Sequence, residues 1–237
     1  MRNVSERVLL SRRDLVEFLI QSSLKLGVSP IVKYTSLSLF ADRFLPSLIL
    51  SNNSRYNWLL QHPFRESNIQ LFALISIWIS TKIHNTPPLS VKTFKTLGDE
   101  VINDQHFTTR DFVQAEVIFM QAIRFEIGAL NTAFFFLQDY VLHFRQLAKV
   151  GDLLNFDACM DVIDLLYETD EISAGSHSPS FLAAAVLVVA YIITVPKQQW
   201  EFPILPWVKF VTSYEVEDIE ELVRNILHHI LKQPQPL

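Results

Sequence analysis

The run Leu71-Phe72-Ala73-Leu74-Ile75-Ser76-Ile77-Trp78-Ile79 is apolar on every helical face, and only one hydroxyl interrupts it. Ser80-Thr81-Lys82-Ile83 continues it, and Lys82 is the first charge after Glu66. A helix that is apolar all round is buried all round, so this run has to be the centre of a core with other elements packed on every side. The pattern predicts a helix over 66–83. Phe181–Val195 has the same character. It is short of the roughly 18–20 apolar residues that span a bilayer and reads as a second buried core helix. Two such centres in 237 residues predict an all-α chain of two tandem five-helix domains, 1–130 and 131–237, each built around one of them.

The shell helices are read from their ends. The five glycines, Gly27, Gly98, Gly128, Gly151 and Gly175, read as breaks, since glycine weakens a helix interior. A first helix over 12–25 carries Leu15, Phe18 and Leu19 at helical spacing. Ser29-Pro30 opens the next, as N-cap and first helical residue, and Pro46 should stop it after Phe44. Asn52-Asn53-Ser54 is turn chemistry, and a helical turn is expected around Trp58–Leu60. Ser90 caps a short helix that Gly98 ends. Thr108 with Asp111 three residues on is a capping box for a long helix, 109–127, stopped by Gly128.

The second half repeats the grammar. Asn131 or Thr132 caps 133–144, Asp152 opens another helix, and Ser178-Pro179 opens the apolar one. Thr212-Ser213-Tyr214-Glu215 has the residue types of a capping box, ahead of Val216, Ile219, Val223, Ile226 and Ile230 at steps of three and four.

Several function classes are argued against. A net charge of −5 disfavours nucleic acid as the main partner, because phosphate binding needs a basic surface. A single cysteine, Cys159, excludes an internal disulfide and a cysteine-rich zinc site. There is no glycine-rich phosphate loop and no nucleophile elbow, so no cofactor, metal or enzymatic site is expected. The adjacent His228 and His229 point about 100° apart on a helix and do not share a metal. No apolar h-region follows Met1–Arg7, which disfavours a signal peptide, and an intracellular chain without a membrane partner is expected.

Two polar residues stand out. Lys82 closes the buried helix, where a cation suits the helix dipole. Glu116 lies beside an apolar stripe, with Phe112 four residues before it and Met120 four after. There a carboxylate needs a partner or an interface. An ordinary ion pair, an exposed edge position and a partner contact all satisfy that demand.

A family resemblance chooses among these. Arg12-Arg13-Asp14-Leu15-Val16-Glu17-Phe18-Leu19 is similar to R-x-x-L-V-x-W-L, and Ala41-Asp42-Arg43-Phe44-Leu45 keeps a D-R-F-L run. Trp78–Ile83 followed by Pro87-Pro88 is similar to A-S-K-F-E-E-x-x-P-P. Glu116, eleven residues before Ile127, fits M-E-x-x-x-L-x-x-L-x-F-x-L. These motifs, in this order and spacing, make residues 12–127 resemble the cyclin box, and the chain looks most like the small J-type cyclins of plants. Residues 132–232 would be the second cyclin-like fold.

The resemblance implies a non-catalytic regulatory subunit of a cyclin-dependent kinase, acting in cell-cycle control in nucleus and cytoplasm. It implies kinase-binding roles for Lys82, Glu116, Ile83, Met120 and Ile127, and a substrate- or inhibitor-docking patch at Leu15, Phe18, Gln21 and Gln70. Three departures weaken the patch: Ser11 replaces a methionine, Phe18 a tryptophan and Gln21 an acid. His84-Asn85 replaces the acidic pair after the lysine, which bears on which kinase is chosen. Two alternatives share the fold: a DNA-binding transcription factor, which the acidic balance disfavours, and a helical scaffold.

Overall fold

The computed structural model describes residues 2–50, 58–60, 64–85, 87–128, 131–169, 177–199 and 202–232. The turn expected at 52–54 lies outside them. The chain divides into two compact units, Met1–Leu130 and Asn131–Leu237. All regular structure among the described residues is helical.

In the first unit α1 (Arg2–Lys25), α2 (Pro30–Leu37), α4 (Val91–Val101) and α5 (Thr109–Ala122) surround α3 (Glu66–His84). Every residue of α3 from Leu71 to Thr81 is buried, as its all-round apolarity requires. The hydroxyls of that buried stretch are satisfied within the helix: Ser76 donates to the Ala73 carbonyl, Ser80 to Ser76 and Thr81 to Trp78, at 2.7–2.8 Å. Phe44 ties three helices together, its ring centroid 4.7 Å from Phe72 and 4.6 Å from Phe119.

In the second unit α6 (Ala133–Leu147), α7 (Phe156–Glu168), α9 (Ile204–Thr212) and α10 (Val216–Lys232) pack on α8 (Pro179–Thr194). α8 is buried from Leu182 to Tyr191. Each unit thus has five helices among the described residues, four of them around one buried rod, with α2 and its continuation counted as one.

Four of the caps read from sequence form, while Ser29 takes the N-cap position of α2 without a side-chain cap bond. Ser90, Thr132 and Ser178 accept from the backbone N–H three residues on. Thr108 and Asp111 make both bonds of the capping box. Trp58–Leu60 is a 3-10 turn.

Five local expectations are corrected. α1 starts at Arg2, not Arg12. α2 does not stop before Pro46: it runs on through a π-helical turn, Ser38–Phe44, and an α-helical end, Leu45–Leu50. The Leu45 N–H bonds the Phe40 carbonyl five residues back, and this wider turn relieves the clash a proline ring makes with the carbonyl four residues behind it. Gly98 lies inside α4, because a Cβ there would sit 3.2 Å from the Phe112 ring; the glycine lets α5 approach. Asn155, not Asp152, caps α7, accepting from Asp157 and Ala158. α10 starts at Val216, so Glu215 precedes the helix and pairs with Lys209, while Thr212 donates to the Val208 carbonyl at the end of α9.

Candidate functional site

α5 turns Phe112, Ala115 and Phe119 fully inward against α3. Glu116 follows Ala115 and therefore falls on the seam between the two helices. Lys82 reaches the same seam from the last turn of α3. Its Nζ lies 2.5 Å from Glu116 Oε1 and 3.7 Å from the centroid of the Trp78 ring. Trp78 is fixed in turn: its indole N–H donates to the Leu89 carbonyl at 3.2 Å. The pair is open to solvent, with Lys82 38% and Glu116 24% exposed. An ion pair so exposed stabilises a fold by about 0.2–1 kcal/mol, and a cation on an exposed aromatic adds about 0.5–1. The α3–α5 contact rests on apolar burial and needs no such pair.

Around the pair the surface is apolar. Ile83 is exposed, and Met120 and Ile127 are half-buried. Sequence reasoning overlooked three neighbours in the chain: Val113, Val117 and Phe125, which are 49, 51 and 62% exposed. Val113, Val117 and Met120 step by four and three on α5, beside Glu116, while the inward stripe is already supplied by Phe112, Ala115 and Phe119. A second apolar stripe on a helix whose first stripe is buried leaves a hydrophobic surface without an internal partner. That doubled periodicity was the available signal.

α5 ends at Ala122 and not at Ile127. Arg124 and Phe125 both take the left-handed conformation, with φ of 55° and 58°. The Arg124 N–H bonds the Gln121 carbonyl at 3.0 Å and the Phe125 N–H the Met120 carbonyl at 2.8 Å. These are the two bonds of a Schellman motif, which ordinarily places glycine where Arg124 stands. Gly128 plays no part in it. Left-handed backbone costs a non-glycine residue roughly 1–2 kcal/mol, here twice in succession. The Arg43 guanidinium donates to the Glu126 carbonyl in the same segment.

His84 sits beside Ile83. Its Nε2 is 2.9 Å from Thr35 Oγ1, which ties the end of α3 to α2, and burial lowers its pKa below the ordinary value. No acid follows Lys82 here.

The four docking-patch residues are placed differently. Leu15 is buried at 4% exposure, Phe18 and Gln70 are half-buried, and Gln21 is exposed. Gln70 donates to Glu66 on its own helix at 3.2 Å. α1 packs on α3, so these residues belong to neighbouring helices.

Other reactive groups are structural. Cys159 is fully buried, and burial pushes its thiol pKa up to about 12. His229 Nε2 lies 3.1 Å from Thr169 Oγ1. Among the described residues no cluster of His, Cys, Asp or Glu could hold a metal ion, and no helix is long and apolar enough to cross a membrane.

Comparison with known proteins shows which family the chain is similar to. Residues 2–128 match the family model "Cyclin, N-terminal domain". The chain is 55% identical over 227 residues to Cyclin-J18 of Arabidopsis thaliana, covering 95% of this chain and 97% of that protein. It is 52% identical over 229 residues to Cyclin-J18-like of Oryza sativa subsp. japonica, covering 93% and 87%. In fold it is similar to a viral cyclin from herpesvirus saimiri, with a TM-score of 0.69 at 16% identity over 94% of this chain and 85% of that one. It is also similar to a chain of the CAK complex of Chaetomium thermophilum bound to ATP-gamma-S, with a TM-score of 0.62 at 15% identity over 94% and 62%.

Proposed function

The chain belongs to the cyclin family, within which it resembles the plant J-type cyclins, and from that premise we propose that it binds and activates a cyclin-dependent protein kinase. In this reading it is the non-catalytic subunit, a cell-cycle regulator of nucleus and cytoplasm. One observation carries the reading: Lys82 and Glu116, 34 residues apart, meet at 2.5 Å on a face whose rim is apolar and partly exposed. The pair supplies a donor and an acceptor together, suited to the backbone groups of a helix and loop laid across it. Ile83, Val113, Val117, Met120, Phe125 and Ile127 supply the surrounding apolar area.

Mechanism follows from what a kinase needs. Its β3 lysine and αC glutamate pair only when αC swings inward. A subunit that binds only the inward state shifts the population toward it. Moving a 1:99 equilibrium to 99:1 takes about 5.5 kcal/mol of differential binding. Burying on the order of 220 Å² of apolar surface in that state alone would supply as much, at about 25 cal/mol per Å². The chain contributes no group to phosphoryl transfer itself.

His84 replaces an acid beside Lys82 and is held by Thr35, so the partner kinase meets no negative charge at that position. At the second patch, buried Leu15 and uncharged Gln21 support only weak docking of R-x-L substrates or inhibitors. The test is co-purification with a panel of cyclin-dependent kinases, followed by assay of the recovered kinase. Capture and activation of at least one kinase is expected. A chain that captures none leaves the scaffold alternative, and strong heparin retention would favour the DNA-binding one.

A further inference from the structure

The bend that follows α5 is a built structure. Four backbone bonds shape it: Arg124 to Gln121 and Phe125 to Met120, as above, and Glu126 to Ile123 and Ile127 to Phe125, both at 3.0 Å. All four are local. They fold the segment on itself but do not tie it to the body of the unit. Two successive non-glycine residues in left-handed backbone persist only where the surroundings over-determine them. Among the described residues a bond reaches in from Arg43, 83 residues away, whose guanidinium donates to the Glu126 carbonyl. Arg43 stands in the π-helical turn of the α2 rod, half-buried, one residue before Phe44, the ring that joins Phe72 and Phe119. It is thus anchored to the core at its base and to the bend at its tip. What it holds there is the pair Phe125 and Ile127, one largely exposed and one half-buried, in the segment directly beyond Met120.

We infer that Arg43 is a positioning residue for kinase binding: by clamping the Glu126 carbonyl it fixes the strained bend so that Phe125 and Ile127 extend the apolar rim of α5. The inference rests on the kinase-binding reading above. Arg43 does not contact the partner. It acts by removing the freedom the bend would otherwise lose on binding, the ordinary gain from preorganisation.

The experiment compares wild type, Arg43→Met, Arg43→Lys, Arg124→Gly and the Arg43→Met/Arg124→Gly double variant. Affinity for the kinase recovered from the panel is read by titration. Amide hydrogen exchange of the free proteins is read at Phe125 and Ile127, with Ile75 in α3 as the internal standard. Arg43→Met is expected to weaken kinase binding at least tenfold and to speed exchange at Phe125 and Ile127 at least tenfold, with Ile75 unchanged. Arg43→Lys keeps a charged donor and should recover part of both losses. Glycine adopts left-handed backbone without strain, so with Arg124→Gly the bend depends less on its clamp. In that background Arg43→Met should cost less than threefold in affinity. Binding within twofold of wild type for Arg43→Met, or a tenfold loss that persists with Arg124→Gly, overturns the inference. If wild type captures no kinase, the functional reading fails, and the exchange data decide the clamp by themselves: unchanged exchange at Phe125 and Ile127 disproves it.

Discussion

Replacing Glu116 with glutamine separates a structural ion pair from a partner contact. The substitution keeps shape and removes charge. In the free protein Lys82 stays on the Trp78 ring and turns to water, since its side chain is already 38% exposed. The loss is therefore the worth of an exposed pair, about 0.2–1 kcal/mol. For a chain of this size that lowers the melting temperature by at most about 2–4 °C. In the kinase complex the same seam is covered. Lys82 is then left desolvated without its counter-charge, and truncating one partner of a buried hydrogen-bonded charge pair costs about 2–5 kcal/mol. At 1.4 kcal/mol per decade, that is roughly 30-fold to several-thousand-fold in affinity. Lys82→Ala should behave alike, with the added loss of its stacking on Trp78. The assay pairs a thermal melt of each variant with titration against the captured kinase. The diagnostic is asymmetry: small in stability, large in binding. A melt lowered by 10 °C with affinity unchanged would show a structural pair and refute the assignment.

Other expectations are more local. Gly98→Val pushes a branched side chain into a space where Cβ already lies 3.2 Å from the buried Phe112 ring, and should cost about 1–3 kcal/mol by urea unfolding despite valine's better helix propensity. Cys159, fully buried and with its thiol pKa pushed up to about 12, should resist alkylation at pH 8 in the native protein and react once urea unfolds it. Burial holds the folded pKa of His84 below the ordinary histidine value of about 6.5, so the unfolded chain binds its proton first; stability is complete above about pH 6.5 and falls as the pH drops below it, and a His84→Gln variant should lose less between pH 7 and 5.5. R-x-L peptides should bind at least tenfold more weakly than to a typical mitotic cyclin, since a missing charge-assisted bond at Gln21 alone costs about 1.5–3 kcal/mol; equal affinity in a labelled-peptide titration would overturn that reading.

What the chain disclosed in advance depended on whether the cause was local. Helices α3 and α8 were legible because all-round apolarity has one physical outcome. The caps at Ser90, Thr108, Thr132 and Ser178 were legible because a side chain and an N–H three residues away suffice to make them. The misread ends have causes that no residue type announces. Gly98 reads as a stop until Phe112 is seen pressing on it from α5. Pro46 reads as a breaker until the π-helical turn before it is known. α5 reads through to Ile127 because its actual stop, Arg124-Phe125, lacks the glycine that usually marks a left-handed bend.

The same division runs through the site. The residue pattern singled out Lys82 and Glu116 and the family resemblance gave them a role, but no spacing could say that they touch each other. Val113 and Val117 were within reach of pattern reading alone. A helix of 14 residues with inward positions at Phe112, Ala115 and Phe119 has no internal use for valines four apart on another side. Apolar side chains kept in water there add no stability, whereas burial against a partner would return about 25 cal/mol for each Å² covered. Polar substitution of both valines should then leave the melting temperature within a few degrees of wild type while weakening kinase capture. A large loss of stability instead would mean that this face is covered within the chain, and the case for a partner would have to rest on the Lys82–Glu116 seam alone.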